Sequence, residues 1–361
     1  MKNPTEETTL QIKAVLIALA VITISLGSDV RSQAAPESRS YTIYLSNNFA
    51  SNDWRQQMLR TARIVVKMPP FAGRVDLKIE NVETTVQAQI NSLNNIIRTK
   101  PDAILIDAGS PTALNPTIEK ACKAGILIVV FDQVTTAQCA YGMEGDWRRA
   151  ATVEAQWISR EIGGKGKVLV DRGLAGAPVS AELLSGYEDT IGKYPGIRII
   201  GYFNGDYSLG PEQAGVAALL AAHPEVDAIL SQGYGAGAIQ ALQDAGRKIV
   251  PVTGSAFNVS TLSCARTPGA ACILASNPPY LSAEALKLAV EILDGKIQHE
   301  KHIFVNAPFL TTNPAPSKFF SGAAMEKIEI NKNAFPDLPP GLCLPFTPNW
   351  VEITAKEAGG L

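Results

Sequence analysis

From about residue 40 onward, short apolar runs alternate with amphipathic stretches, the pattern of a parallel sheet covered by helices. Residues 41–45 predict a strand, and 52–67 a helix that Pro69-Pro70 stops. A second strand is expected over 74–79. The helix after it has the clearest signature, with Val86, Ile90, Leu93 and Ile97 at helical spacing on one face. Strand 103–106, helix 112–124 and strand 127–131 follow.

The pattern restarts after Tyr141. Residues 147–162 read as a helix that Gly163-Gly164-Lys165-Gly166 breaks. Strands are then expected over 168–170, 198–201, 228–230 and 249–252, with helices over 180–193, 211–222 and 237–245 between them. Two sets of βα units predict an α/β protein with two doubly wound parallel-sheet lobes. One more long helix is expected over 282–293. The Pro-rich end (Pro336, Pro339, Pro340, Pro345, Pro348) is expected to be extended and packed over the surface.

The longest uncharged apolar run, residues 14–27, follows Lys13 and precedes Ser32-Gln33-Ala34. It is shorter than the roughly 20 residues that span a bilayer, so a secretory signal over 1–34 with cleavage near Ala34 is the expectation. The alternative is an anchor that stays attached. With no Cys near that cleavage point, a lipid-anchored form is disfavoured, and export is expected to carry the mature chain out of the cytoplasm.

Export also changes how the five cysteines read. Cys264 and Cys272 flank a turn-forming stretch that a local disulfide would close; Cys122 and Cys139 are candidates for a second, leaving Cys343 unpaired. No Cys-x-x-Cys occurs, and His223, His299 and His302 do not cluster with the cysteines, so neither a metal nor another cofactor is expected. With 361 residues, 46% of them apolar, the chain has room for two domains. The 32 Lys and Arg nearly balance the 34 Asp and Glu, which argues against a nucleic-acid partner.

Ligands of open parallel sheets bind beyond the carboxyl ends of the strands. In the first half those positions hold Asn47, Asn48 and Phe49, with Trp54 one helical turn on, then Asp107, Asp132 and Gln133. In the second half they hold Arg172, Tyr207, Gln232, Tyr234 and Asn258. Carboxylates and amides exchange hydrogen bonds with vicinal hydroxyls, an Arg fork bridges two oxygens, and aromatic faces cover C–H surface. This mixture suits a sugar or polyol. Asn47 and Asn48 also fit helix caps, and Phe49 and Trp54 also fit a core. The site reading rests on such residues recurring at strand ends in both halves.

The residues resemble the periplasmic solute-binding proteins of sugar ABC importers, the type I, ribose-binding-like group. The likeness spans roughly residues 40–310. It rests on Ser46-Asn47-Asn48-Phe49, on Gln89-Ile90-Asn91-Ser92-Leu93 leading into Pro101-Asp102-Ala103-Ile104-Leu105-Ile106, and on Ala124-Gly125-Ile126 leading into Phe131-Asp132. Ile162-Gly163-Gly164-Lys165-Gly166, Gly186-Tyr187, Gly205-Asp206-Tyr207 and Ala241-Leu242-Gln243-Asp244-Ala245-Gly246 continue it.

The resemblance implies two hinged lobes, one of residues 40–141 with about 278–307, the other of 142–277 with about 308–335, and a tail over 336–361. It implies a monomer that delivers its ligand to an inner-membrane ABC permease, with sugar contacts from Asn47, Asn48, Phe49, Asp107 and Asp132 and an aromatic platform at Tyr207. Three positions depart from it: the expected Asp is missing around Gly254-Ser255-Ala256, Leu183 stands in place of an Arg, and Gly233 in place of an Asn. Ribose bound in the usual manner is therefore disfavoured, with Arg172 and Tyr234 as candidate compensations. The same fold serves lactose-repressor-type factors, but an export signal occupies the place of their DNA reader.

Two other functions fit less well. A secreted hydrolase would need catalytic residues, and Asp107 with Asp132 is the one candidate carboxylate pair; the nucleophile-elbow, zinc-protease and phosphate-loop motifs do not occur. A ligand-presenting partner of a chemoreceptor or histidine kinase would read the same closed form as a permease would.

Overall fold

A computed structural model describes residues 39–361 apart from residue 51, residues 83–84, 297–299 and residue 321. The apolar run 14–27, the expected cleavage near residue 34 and His299 lie outside the described residues. The chain begins β1 (Tyr41–Asn47), α1 (Asp53–Val65), β2 (Val75–Asn81), α2 (Val86–Arg98), β3 (Ala103–Asp107) and α3 (Asn115–Lys123). It continues β4 (Leu127–Phe131), β5 (Tyr141–Glu144), α4 (Trp147–Glu161), β6 (Lys165–Asp171), α5 (Pro178–Ile191) and β7 (Gly196–Phe203). Next come α6 (Leu209–Ala222), β8 (Ala228–Leu230), α7 (Ala236–Asp244), β9 (Val252–Ser255), α8 (Asn258–Arg266) and β10 (Cys272–Ala275). The last elements are α9 (Leu281–Leu293), β11 (His302–Phe304), β12 (Phe309–Thr311), β13 (Met325–Lys327) and α10 (Ala355–Gly359).

These strands form two sheets. The first has six strands in the order β11-β5-β4-β3-β1-β2, every pairing parallel. The second has seven, β13-β12-β10-β9-β8-β6-β7, with β10 and β12 the antiparallel pair. Parallel strands with helices on both faces bury both faces, which explains why β3 is a continuous apolar run whose first polar residue, Asp107, comes at its carboxyl end. The chain passes from the first sheet to the second after β5, returns before α9, and leaves again between β11 and β12. Because β5 extends the first sheet to Glu144, the first passage falls about three residues beyond the expected boundary at residue 141.

Some expectations shift in detail. The strand expected over 249–252 runs Val252–Ser255, and β5, β10 and α8 are additional: the two strands are only four residues long, and the nine residues of α8 carry a mostly polar sequence, NVSTLSCAR. Cys122–Cys139 and Cys264–Cys272 are disulfides, and Cys343 is free and buried.

The tail differs most from expectation. Leu342, Cys343, Leu344, Ile353 and Ala358 are buried, so it is part of the interior rather than a surface covering. Its register is fixed from both lobes. Gln57 of α1 accepts from Cys343 N at 2.8 Å and donates to Cys343 O at 3.1 Å. From the second lobe, Asn258 N donates to Leu342 O at 2.7 Å, and Leu344 N donates to Ala256 O at 2.8 Å. Further on, Trp350 Nε1 donates to Glu284 Oε1 at 2.7 Å and its ring meets Phe71 edge-on at 5.7 Å. The tail is thus a fourth passage between the lobes.

Beneath the second sheet's strand ends, buried Glu154 of α4 accepts from Tyr187 Oη at 2.7 Å, and that hydroxyl lies 3.1 Å from Ser231 O. Burial pushes the Glu154 carboxyl up to about 8, with the Tyr187 hydrogen bond opposing the shift.

Two outcomes follow from this packing. Removing residues 336–361 should lower the thermal midpoint and raise the binding of an apolar dye. The expected cost is several kcal/mol, since each fully buried aliphatic side chain contributes about 1.5–3 kcal/mol. An unchanged midpoint would mean that the tail is not held. Ionising Glu154 carries no penalty below its ordinary value of 4.5 and a full one above about 8. Its contribution to stability should therefore fall as pH rises through that window, and Glu154→Gln should flatten the fall in denaturant titrations.

Candidate functional site

The carboxyl ends of both sheets open onto one cleft. Its first-lobe wall begins at α1, where Asn52 caps the helix by accepting from Arg55 N at 2.9 Å. That places Trp54 and Arg55 in the first turn. Arg55 shares the buried face with Met58, Leu59 and Ala62, so the helix carries a guanidinium into the interior at the strand ends.

There Arg55 is encircled by acceptors. Nη1 donates to Asn47 Oδ1 at 2.9 Å and to Asp107 Oδ2, Nη2 lies 3.6 Å from Asp132 Oδ2, and the Gln133 amide oxygen accepts from Nη2 at 2.6 Å. Asn277 Nδ2 donates to Asp132 Oδ1 at 3.3 Å, and Trp54 Nε1 donates to Asn277 O at 2.8 Å. Asp132 itself adopts a left-handed φ of 58°, a conformation Asp tolerates, at the turn that follows β4. Burial lowers the Arg55 pKa to about 10, against the pull of Asp132, so the guanidinium stays charged at neutral pH. Burial raises the Asp132 carboxyl, with Arg55 and the Asn277 hydrogen bond acting the other way.

The second-lobe wall is organised by Asp171 at the end of β6. It accepts from Gly173 N at 2.7 Å, Gly205 N at 2.8 Å and Gln232 N at 3.2 Å, tying three strand-end loops together. A Cβ at Gly205 would come within 2.5 Å of Asp171 Oδ2, so the close approach needs glycine. Asp206 and Tyr207 then turn through left-handed φ values of 48° and 49°, and Tyr207 Oη sits 2.6 Å from Ser180 Oγ.

Six of the residues singled out in the sequence line this cleft: Phe49, Trp54, Asp132, Gln133, Tyr207 and Gln232. The other six do not. Asn47 and Asp107 are wholly buried behind Arg55 and hold it in place. Asn48 packs towards Gly109, its Nδ2 3.0 Å from where a Cβ would sit there. Arg172 is exposed and lies over the Tyr202 ring, 4.3 Å from the centroid. Tyr234 is buried and its ring stacks on Phe257 at 4.1 Å. Asn258 is consumed by the tail: it donates to Phe335 O at 2.8 Å and to Leu338 O at 3.1 Å, and accepts from Phe335 N at 2.8 Å.

Sequence reasoning missed Arg55, Asn277 and Trp147 on the wall, and Asp171 behind it. The spacing of Arg55, Met58, Leu59 and Ala62 carries the signal for Arg55: a charge on the apolar stripe. Asp171 is the first polar residue after the run Val168-Leu169-Val170, one position before the Arg172 that was selected. Asn277 lies on a chain passage with no strand pattern to mark it. Among the described residues no group of three or more His, Cys, Asp or Glu could hold a metal, and no helix is long and apolar enough to cross a membrane.

The profile of the periplasmic binding protein domain matches residues 43–297, and the chain belongs to that family. It is similar to the D-ribose/D-allose-binding protein of Pseudomonas aeruginosa, 25% identical over 247 residues that cover 64% of this chain and 76% of that one. It is also 25% identical to the xylitol-binding protein of Mycolicibacterium smegmatis over 187 residues, 51% of this chain; the match spans 54%, about half, of that relative's length. Among solved structures, an ABC transporter solute-binding protein from Thermobispora bispora is 30% identical, with a TM-score of 0.68 over 76% of this chain and 85% of that one.

Replacing Arg55 by Met should leave two carboxylates buried without their cation, and removal of one partner of a buried pair costs about 3–5 kcal/mol. The loss should be greatest at neutral pH and shrink as pH falls, because burial already raises the Asp132 carboxyl and protonating it removes a charge that Arg55 would otherwise balance. Denaturant titration at several pH values checks this; equal loss at every pH would assign the cost to packing alone.

Proposed function

We propose that this protein is a periplasmic receptor that captures a neutral sugar or polyol in the cleft and delivers it to an ABC import permease of the inner membrane. The observation that carries the reading is the cluster of Arg55, Asp132, Gln133 and Asn277 facing a cleft flanked by Phe49, Trp54 and Tyr207. A carboxylate and two amides spaced around one guanidinium match adjacent hydroxyls as donors and acceptors, and the rings cover the C–H faces of the same molecule. Related proteins named for ribose, allose and xylitol support a polyhydroxylated ligand.

No bond is made or broken in this reading. A two-carboxylate hydrolase is not supported, because Asp107 is spent on Arg55 and is wholly buried behind it. Ligand bridging the walls stabilises the closed arrangement, and the permease recognises that shape. The receptor acts as a monomer, exported through the cleavable signal over residues 1–34.

Titration calorimetry with a panel of pentoses, hexoses and linear polyols tests this. At least one should bind with a Kd well below about 1 mM, with compaction seen by solution scattering. Asp132→Asn should weaken that ligand at least tenfold while the fold persists by circular dichroism. Absence of binding across the panel, or undiminished affinity in the variant, would overturn the reading.

A further inference from the structure

The two walls of the cleft are chemically unequal. Apart from the Trp147 indole, the polar groups on the second-lobe wall are already engaged within the protein. Tyr207 Oη lies 2.6 Å from Ser180 Oγ and 3.4 Å from Gln232 Oε1, while Gln232 Nε2 donates to Asp171 O at 3.0 Å and Ser180 O at 3.1 Å. Ser255 Oγ donates to Gln232 O at 3.1 Å. Between these groups the wall is aliphatic and aromatic: Leu174, Val179, Leu183, Ala256 and Phe257. Leu174 stays 40% exposed at the cleft although it is a large apolar side chain. Two polar atoms of the cleft lining have no protein partner: Asn277 Oδ1, beside Asp132, and Trp147 Nε1, at the start of α4 in the second lobe.

Resting on the sugar-receptor reading above, we propose that the ligand is a deoxy sugar. Its hydroxyl edge meets Arg55, Asp132 and Asn277, and a methyl or methylene edge lies against Leu174, Val179 and Leu183. A hydroxyl pressed on that patch would lose its water and find Tyr207, Gln232 and Ser255 already spent, whereas a methyl group there gains contact. The polar wall acts oppositely: an analogue lacking a hydroxyl on that edge leaves buried protein groups unpaired. The asymmetry therefore fixes the orientation as well as the class.

Matched pairs differing by one hydroxyl test this by calorimetry on the full mature chain: D-fucose against D-galactose, L-rhamnose against L-mannose, and 2-deoxy-D-ribose against D-ribose. In at least one pair the deoxy member should bind about 10- to 100-fold tighter, the range that one such group commands in an apolar pocket. Leu183→Asn should erase most of that preference. Leu174→Asn, at a partly exposed position that tolerates a polar side chain, should narrow it even if the first variant folds poorly. Equal or tighter binding of the hydroxylated member in every pair that binds overturns the deoxy assignment and leaves the receptor reading intact. A preference unchanged in both folded variants overturns the role of the wall. No binding by either member of any pair, or by the wider panel, overturns the receptor reading and this inference with it.

Discussion

The first lobe is organised around the enclosure of one positive charge. A guanidinium taken out of water is costly unless its donors are all met, and Arg55 meets acceptors from three strand ends: Asn47 after β1, Asp107 after β3, and Asp132 with Gln133 after β4. Those strands are neighbours in the order β4-β3-β1, so the parallel sheet brings residues 85 positions apart to one cation. The same pairing that stabilises the charge also fixes the angles of Asp132 and Gln133 towards the cleft. In the proposed receptor, structure and recognition share one set of bonds.

The second lobe solves the corresponding problem with a buried anion. Asp171 gathers backbone N–H groups from the loops after β6, β7 and β8. Backbone donors are fixed in place by the chain itself, so one carboxylate set behind the cleft lining holds three loops together. The contrast explains why one wall presents charged and amide groups and the other presents carbon.

Much of this was legible in the sequence. Short apolar runs and the 3.6-residue period located most of the long elements, and the rule that sites gather beyond strand ends led to Phe49, Trp54, Asp132, Gln133, Tyr207 and Gln232. The misses have a common cause: a strand end names a position but not the direction a side chain takes. Asn47 and Asp107 turn inward because a cation waits there, and that cation comes from a helix rather than from a strand end. Asn258 is diverted by a tail some 77 residues later in the chain, a contact that no local pattern encodes. Arg172 and Asp171 are adjacent, and alternation along the strand sends one out and one in.

The tail's bonding has a mechanical corollary. Residues 342–344 are tied to Gln57 on one side and to Ala256 and Asn258 on the other. If the lobes swing apart, the segment must either travel with one partner and break from the other, or stretch between them. Gaping therefore carries an internal cost that chains joined by hinge strands alone do not bear. That cost tilts the resting equilibrium towards the shut form, so that less of the free energy of capture is consumed in drawing the halves together.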